Sequence, residues 1–244
     1  MNRTTATLAA VLLPAACALA QDDADRSVSL AEAFFIQRNG RTGGLEFFGT
    51  LIIWVLIAAS AASVALLVKR ARENKRDAFV SPATADECAK LLESGEIDRA
   101  VRRAEQDGSD LAKMLAAAMP ELDESHEGAL RALDLAADAS SSARLRRVEP
   151  LNIIGGVAPM LGLFGTVYGM ILAFREIVAA GGTPDPVGLA AGIGTALTTT
   201  FWGLIVAIPA LIGFGVLRNA IDAYTADAEK AAENVLSHYN ADDE

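Results

Sequence analysis

Four hydroxyl side chains fall within six residues of one long uncharged stretch: Thr195, Thr198, Thr199 and Thr200, in GTALTTTFWG. On a helix, Thr195, Thr198 and Thr199 share one face at i, i+3 and i+4, with Thr200 about 100° round. A fifth, Thr166, lies in a second uncharged stretch, LGLFGTVYGM. A hydroxyl donates and accepts at once. A seam of them relays water or a proton where an aliphatic seam does not. A single threonine in an apolar helix needs no such explanation, because it bonds back to its own i−4 carbonyl or holds a neighbouring helix for about 0.6 kcal/mol. The clustering singles out Thr166, Thr195, Thr199 and Thr200 as candidate linings of an ion path.

The helices that must carry them are Leu151–Phe174 and Val187–Leu217. Each exceeds the roughly 20 apolar residues that span a bilayer. The first holds Gly162, Gly165 and Gly169, forming small-xxx-small pairs 162/166 and 165/169; the second holds the pair Gly188/Gly192. Such pairs let membrane helices approach to backbone contact, and here they predict helix packing and assembly. Pro159 and Pro209 each free a carbonyl one turn back and predict kinks. Val187–Leu217 has 31 residues, which at ~1.5 Å each overruns a ~30 Å core, so its inner end should project out of the membrane.

Neither stretch contains Asp, Glu, His, Lys or Arg. An ion carrier needs an ionisable group at membrane depth, so any such group must come from a second polypeptide. Arg175 and Glu176 stand at the outer mouth, where interfacial anchoring accounts for them.

The rest of the chain gives these helices a frame. There are 244 residues, 52% of them hydrophobic, with a net charge of −10. Membrane spans explain the apolar fraction, and the acidic balance excludes nucleic acid as a partner. Cys17 and Cys88 imply no disulfide framework. His126 and His238 have no ligand-spaced companions, so no metal site and no cofactor is expected. No nucleophile–base pair or phosphate loop is present, which argues against an enzyme.

Residues 1–20 read as a signal peptide: Arg3, an apolar core at Leu8–Ala16, and Ala18-Leu19-Ala20 as the cleavage signal. Lipoprotein processing at Cys17 and an uncleaved span are the alternatives. Residues 21–46 form an exported acidic segment, in which Val28, Leu30, Ala31, Phe34 and Phe35 predict a short amphipathic helix on the outer membrane face. The first span is 47–68, the second 150–175 and the third 187–217, with an outer turn at 176–186. Lys69, Arg70, Arg72, Lys75 and Arg76 follow the first span, Arg144, Arg146 and Arg147 precede the second, and Arg218 follows the third. Basic residues gather on the cytoplasmic side. That puts the N-terminus outside and both the 69–149 insert and the 218–244 tail inside. Within the insert, Ser81 or Thr84 should cap a helix through Leu92, ended by Gly95. Ile97, Val101 and Ala104 continue on one face, Gly108 breaks the chain, and Leu111, Met114, Leu115 and Ala118 have helical spacing. Pro120 marks the next boundary. Gly128–Val148 gives a further helix that runs without a stop into the second span. The fold class is all-α: a three-span membrane protein with a cytoplasmic helical insert.

GGVAPMLGLFGTVYGMILAF (155–174) and GLAAGIGTALTTTFWGLIVAIPAL (188–211) carry the patterns AP-x-LGL-x-GTV-x-GM and GI-x-x-AL-x-x-T-x-x-GL-x-x-AIPA. In these the chain resembles the MotA/TolQ/ExbB proton-channel family, ExbB most of all, with the family domain at about 125–230. The resemblance implies a homopentameric pore in membrane lipid, lined by the second and third spans. It implies a partner of ExbD or TolR type, whose single span brings the titrating Asp, and work delivered to a TonB- or TolA-like envelope protein. Thr166 falls on the family's pore-facing Thr of GTV, and Thr200 on the Thr of AL-x-x-T. The ExbB and TolQ pattern GIAEAL has Glu where this chain has Thr195, as MotA-like stators also lack it. A non-conducting scaffold of the same fold and a MotA-like stator are the alternatives.

Overall fold

The computed structural model describes residues 34–36, 46–182 and 186–239. The signal-peptide expectation and most of the amphipathic segment lie outside them. The α-helices whose bounds lie among the described residues are, in order, α1 (Phe47–Glu73), α2 (Pro82–Glu93), α3 (Ile97–Glu105), α4 (Asp110–Ala118), α5 (His126–Ala179) and α6 (Pro186–Leu236). No strand occurs among the described residues.

Three of these helices, α1, α5 and α6, are long and apolar enough to cross a membrane. The second and third sequence-predicted spans are segments of much longer rods. α5 has 54 residues and α6 has 51, about 80 Å each at 1.5 Å per residue. A bilayer core takes up only ~30 Å of that. Both rods are thus longer than a bilayer core requires. Neither Pro150 nor Pro159 interrupts α5, and Pro209 does not interrupt α6. α5 and α6 run antiparallel and meet over most of their length. Just past α5, Gly181 and Gly182 take φ of 64° and 101°, a region that glycine enters without steric cost.

Local sequence explains the smaller elements. Ser81 stands at the N-cap position of α2 with Pro82 in the first turn, but it makes no capping bond. Its hydroxyl pairs instead with Thr84 at 3.0 Å. Gly95, at φ 71°, ends the α2 turn. Ser109 caps α4 by accepting from the Ala112 amide at 3.3 Å, and Ser125 caps α5 through the Gly128 amide at 3.3 Å.

Helix α4 packs on both the N-terminal part of α5 and the C-terminal part of α6, α2 packs on α6, and α3 packs on α2 and α4. Their core is Phe79, Leu92, Leu111, Met114, Leu115 and Met119 against Leu133, Leu151, Ile221 and Leu236, all buried. A second, smaller core joins α1 to α5 and α6 through Ile52, Leu56, Ala158, Val206 and Ala207. Arg144 of α5 ties the two regions together. Its guanidinium pairs with buried Asp110, donates to Asn74 Oδ1 at 3.0 Å and to the Ala78 carbonyl at 2.9 Å, and lies 4.0 Å from the Phe79 ring centroid. A planar, five-donor cation suits such a junction.

Candidate functional site: a hydroxyl seam between α5 and α6

The glycines of α5 and α6 face each other. A Cβ added at Gly169 would lie 2.6 Å from the Ala196 amide nitrogen, and one at Gly192 would lie 2.7 Å from that of Ala173. Gly162 meets the Thr199 carbonyl and Thr200 Cα at 3.0 Å, and Gly203 meets the Ala158 carbonyl at 2.8 Å. Gly165 receives the Thr199 side chain itself. Gly188 borders the Glu176 side chain at 3.2 Å. The close approach thus occurs inside one chain. The expected helix packing at Gly165 and Gly169 has its partner within the chain, on α6 of the same molecule. Gly203 belongs to the same row and was missed. Its signal was present, since it follows Gly192 by eleven residues, three helical turns.

The seam divides the candidate threonines into two pairs. Thr195 and Thr199 are buried. Thr195 donates to the Ala191 carbonyl at 3.1 Å, and Thr199 reaches the Thr195 and Ala196 carbonyls at 3.0 Å. These are local back-bonds. The bond from Thr199 holds its side chain in the Gly165 notch. Thr198 is half-buried beside them.

Thr166 and Thr200 differ. Their hydroxyls bond to each other across the two helices. Thr166 also has the Gly162 and Ala196 carbonyls within reach, at 3.1 and 3.3 Å, and Thr200 has the Gly162 carbonyl at 3.2 Å. Two hydroxyl protons therefore serve four acceptor oxygens. Several donor arrangements satisfy the site with almost no atomic movement. Such degeneracy lets a hydroxyl pair pass polarisation or a proton in either direction. Both residues are only half-buried. The surrounding surface is apolar and uncovered: Leu163, Phe164, Val167, Leu197 and Leu204 are all exposed. Exposed apolar surface of this extent belongs against lipid or another chain.

Two contacts near the seam were not legible in the sequence. Tyr168, two residues past Thr166, donates to Glu46 at the head of α1 at 2.9 Å. A step of two residues turns about 200° on a helix, so α5 is hydrogen-bonded on opposite faces by Thr166 and Tyr168. Glu46 is thus a carboxylate of this chain held against a spanning helix. Nothing in its position before an uncharged run announces Tyr168, 122 residues away. The Trp202 indole donates to the Phe34 carbonyl at 2.9 Å, with Phe34 on Phe201 and Phe35 on Trp202 at 5.3 and 5.5 Å between ring centroids. The expected outer-face helix therefore contributes Phe34 and Phe35 to contacts with α6, next to Thr200.

The fold and seam define a polytopic helical protein whose two long spanning helices meet along a glycine row and share a hydroxyl pair. Residues 97–230, more than half of the chain, match the MotA/TolQ/ExbB proton channel family, and the chain belongs to that family. It is 42% identical over 79 residues to the biopolymer transport protein exbB1 of Vibrio cholerae, covering 32% of this chain and 35% of that protein. It is 35% identical over 101 residues to the Tol-Pal system protein TolQ of Haemophilus influenzae, covering 41% and 44%. A putative biopolymer transport protein, ExbB-like 1 of Synechocystis, is 46% identical over 78 residues, 31% of each chain. The matched stretch is thus under half of each relative's length. A solved structure of C. jejuni MotAB aligns over 80% of this chain and 79% of that one, at 19% identity and a TM-score of 0.51, a likeness of fold.

Proposed function

We propose that this chain is the pore-forming subunit of a proton-driven motor in the inner membrane, with Thr166 and Thr200 on the ion path. The observation that carries this is the shared hydroxyl pair between two spanning helices whose apolar stretches hold no ionisable residue of their own. A pair that can reverse its hydrogen bonding polarises toward a titrating group but does not itself store a proton. The carboxylate that does so comes from a second polypeptide, of the ExbD or TolR type, enclosed by a ring of five copies. The exposed apolar faces of α5 and α6 supply the surface for the neighbouring copies, the partner helix and lipid. The N-terminus lies outside; the α2–α4 insert and the end of α6 lie in the cytoplasm. Proton flow shifts the ring against the enclosed helices, and the work reaches an envelope protein such as TonB or TolA.

The family pattern's Glu is replaced by Thr195, which is buried and bonded back to Ala191. This favours a second reading, in which the chain serves as a MotA-like stator or a scaffold that conducts nothing. Purification of the tagged chain from its native membrane, followed by native mass spectrometry, separates the possibilities. The motor reading predicts five copies together with a small single-span protein carrying a membrane Asp. A monomer, or a ring enclosing no second polypeptide, contradicts it.

A further inference from the structure

The inner end of the molecule carries two surfaces of opposite charge at the same height. Between α2 and α3 is an open recess of about 510 Å³ lined by Lys90, Arg99, Arg102 and Arg103, with Glu87 as its one carboxylate. Arg103 pairs with Glu87, and Arg99 pairs with Glu96. Lys90 and Arg102 make no ion pair among the described residues and are exposed. On a chain of net charge −10 this is a local inversion of sign. The opposite surface lies along the inner halves of α5 and α6, where Asp134, Asp138 and Glu233 are exposed and Glu229 is half-buried. None of these four makes an ion pair among the described residues. Burial, and then the charges of Asp134, Glu233 and Asp138, push the Glu229 carboxyl above its ordinary range. Like charges thus crowd this flank.

Their heights agree. The His238 imidazole lies 3.9 Å from Glu93 at the end of α2, one turn from Lys90. Glu233 and Glu229 precede His238 by five and nine residues on α6, or by about 7 and 13 Å along the axis. Asp134, Asp138 and Glu233 are exposed, so they lie on a flank that α2–α4 leave open. The level is also remote from the membrane: His238 is 21 residues beyond Leu217, about 30 Å, past the reach of lipid headgroups.

We infer that the basic recess of α2 and α3 docks onto the acidic α5–α6 flank of a second copy of this chain, forming a head-to-tail contact that closes the ring below the membrane. Two different patches meeting in this way make a heterologous interface, which generates a ring when the rotation closes. Complementary charge fixes its register and speeds assembly. This rests on the oligomeric reading above but concerns different residues from the seam.

The test is charge exchange in the detergent-solubilised full chain, with the oligomer followed by native mass spectrometry and helicity by circular dichroism. Arg102→Glu and Glu229→Lys should each weaken the oligomer about tenfold at low salt, and the two together should restore it. Carbodiimide treatment of mixed light- and heavy-isotope copies should join Lys90 to Glu229 or Glu233 in light–heavy peptides. A wild-type ring whose single variants assemble normally, or whose double variant fails to recover while still helical, overturns the inference and leaves the motor reading intact. A monomeric wild type overturns both.

Discussion

The Thr199 side chain occupies the space that a Cβ on Gly165 would fill. One residue on α5 is small so that its opposite number on α6 can be a hydroxyl pinned to its own backbone. Everything around the seam is arranged at that separation, including the Thr166–Thr200 bond one residue further along each helix.

The first prediction concerns this notch. Gly165→Leu and Gly169→Leu force α5 from α6 and should destabilise the folded chain by about 3 kcal/mol or more, as overpacking of a close contact does. Gly156→Ala is the control. A Cβ there meets nothing within 4 Å, so the higher helix propensity of alanine should leave stability equal or raised by up to about 1 kcal/mol. Thermal unfolding in detergent measures all three, and an unfavourable Gly156→Ala together with a tolerated Gly165→Leu would contradict the packing described.

The second concerns the hydroxyl pair. Thr166→Val or Thr200→Val keeps shape and removes one member. The remaining hydroxyl still has the Gly162 carbonyl, so the folding cost should be about 1 kcal/mol and the subunit should assemble. Proton-driven transduction should fall about tenfold or more, about 1.4 kcal/mol of barrier. Thr195→Val and Thr199→Val remove hydroxyls that bond back to their own helix and should affect transduction less. A growth or uptake assay dependent on this chain reads the difference.

A third prediction isolates the junction at Arg144. Asp110 is buried and holds Arg144 on one side and Lys113 on the other. Arg144→Met leaves that carboxylate with Lys113 as its one cation and should cost about 3 kcal/mol, the low end for breaking a buried pair, exposing the α2–α4 region to limited proteolysis. Adding Asp110→Asn should recover part of the loss.

The fourth is a pH dependence. Burial pushes the Asp107 carboxyl up, but hydrogen bonds from Thr84 and Ser109, with Ser81, outweigh it and hold the group well below the usual carboxylate range. A depressed folded pKa contributes stability above the unfolded value near 4, and that stability is lost as pH falls below it. Thr84→Val should flatten the acid side of the stability profile below about pH 4 while changing little of its slope between pH 6 and 8.

Much of this was legible beforehand. The charge-free stretches and their small residues announced the spanning helices, because glycine at fixed spacing has little other use in lipid. Gly95, Gly108 and Pro120 set the insert boundaries through backbone geometry alone. The division of the threonines was not legible. Helical spacing grouped Thr195 and Thr199 with each other and set Thr200 apart, but which face meets α5 depends on rotation between two helices, and no local pattern encodes that. Arg144–Asp110, Glu46–Tyr168 and Trp202–Phe34 join residues 34 to 168 positions apart. Periodicity is silent about such pairs. The glycine row was legible as a face meant for close contact, but spacing does not say whether the partner is another copy or the next helix of the same chain.

The central claim is that protons pass the Thr166–Thr200 pair while a partner's carboxylate carries the charge. The most direct test is proton flux into liposomes, read by an entrapped pH dye, with the complex purified through this chain from its native membrane. The account predicts flux that disappears when the partner's membrane Asp becomes Asn, and that falls about tenfold or more in the Thr166→Val, Thr200→Val double variant with the complex still assembled. Undiminished flux from the assembled double variant would contradict it.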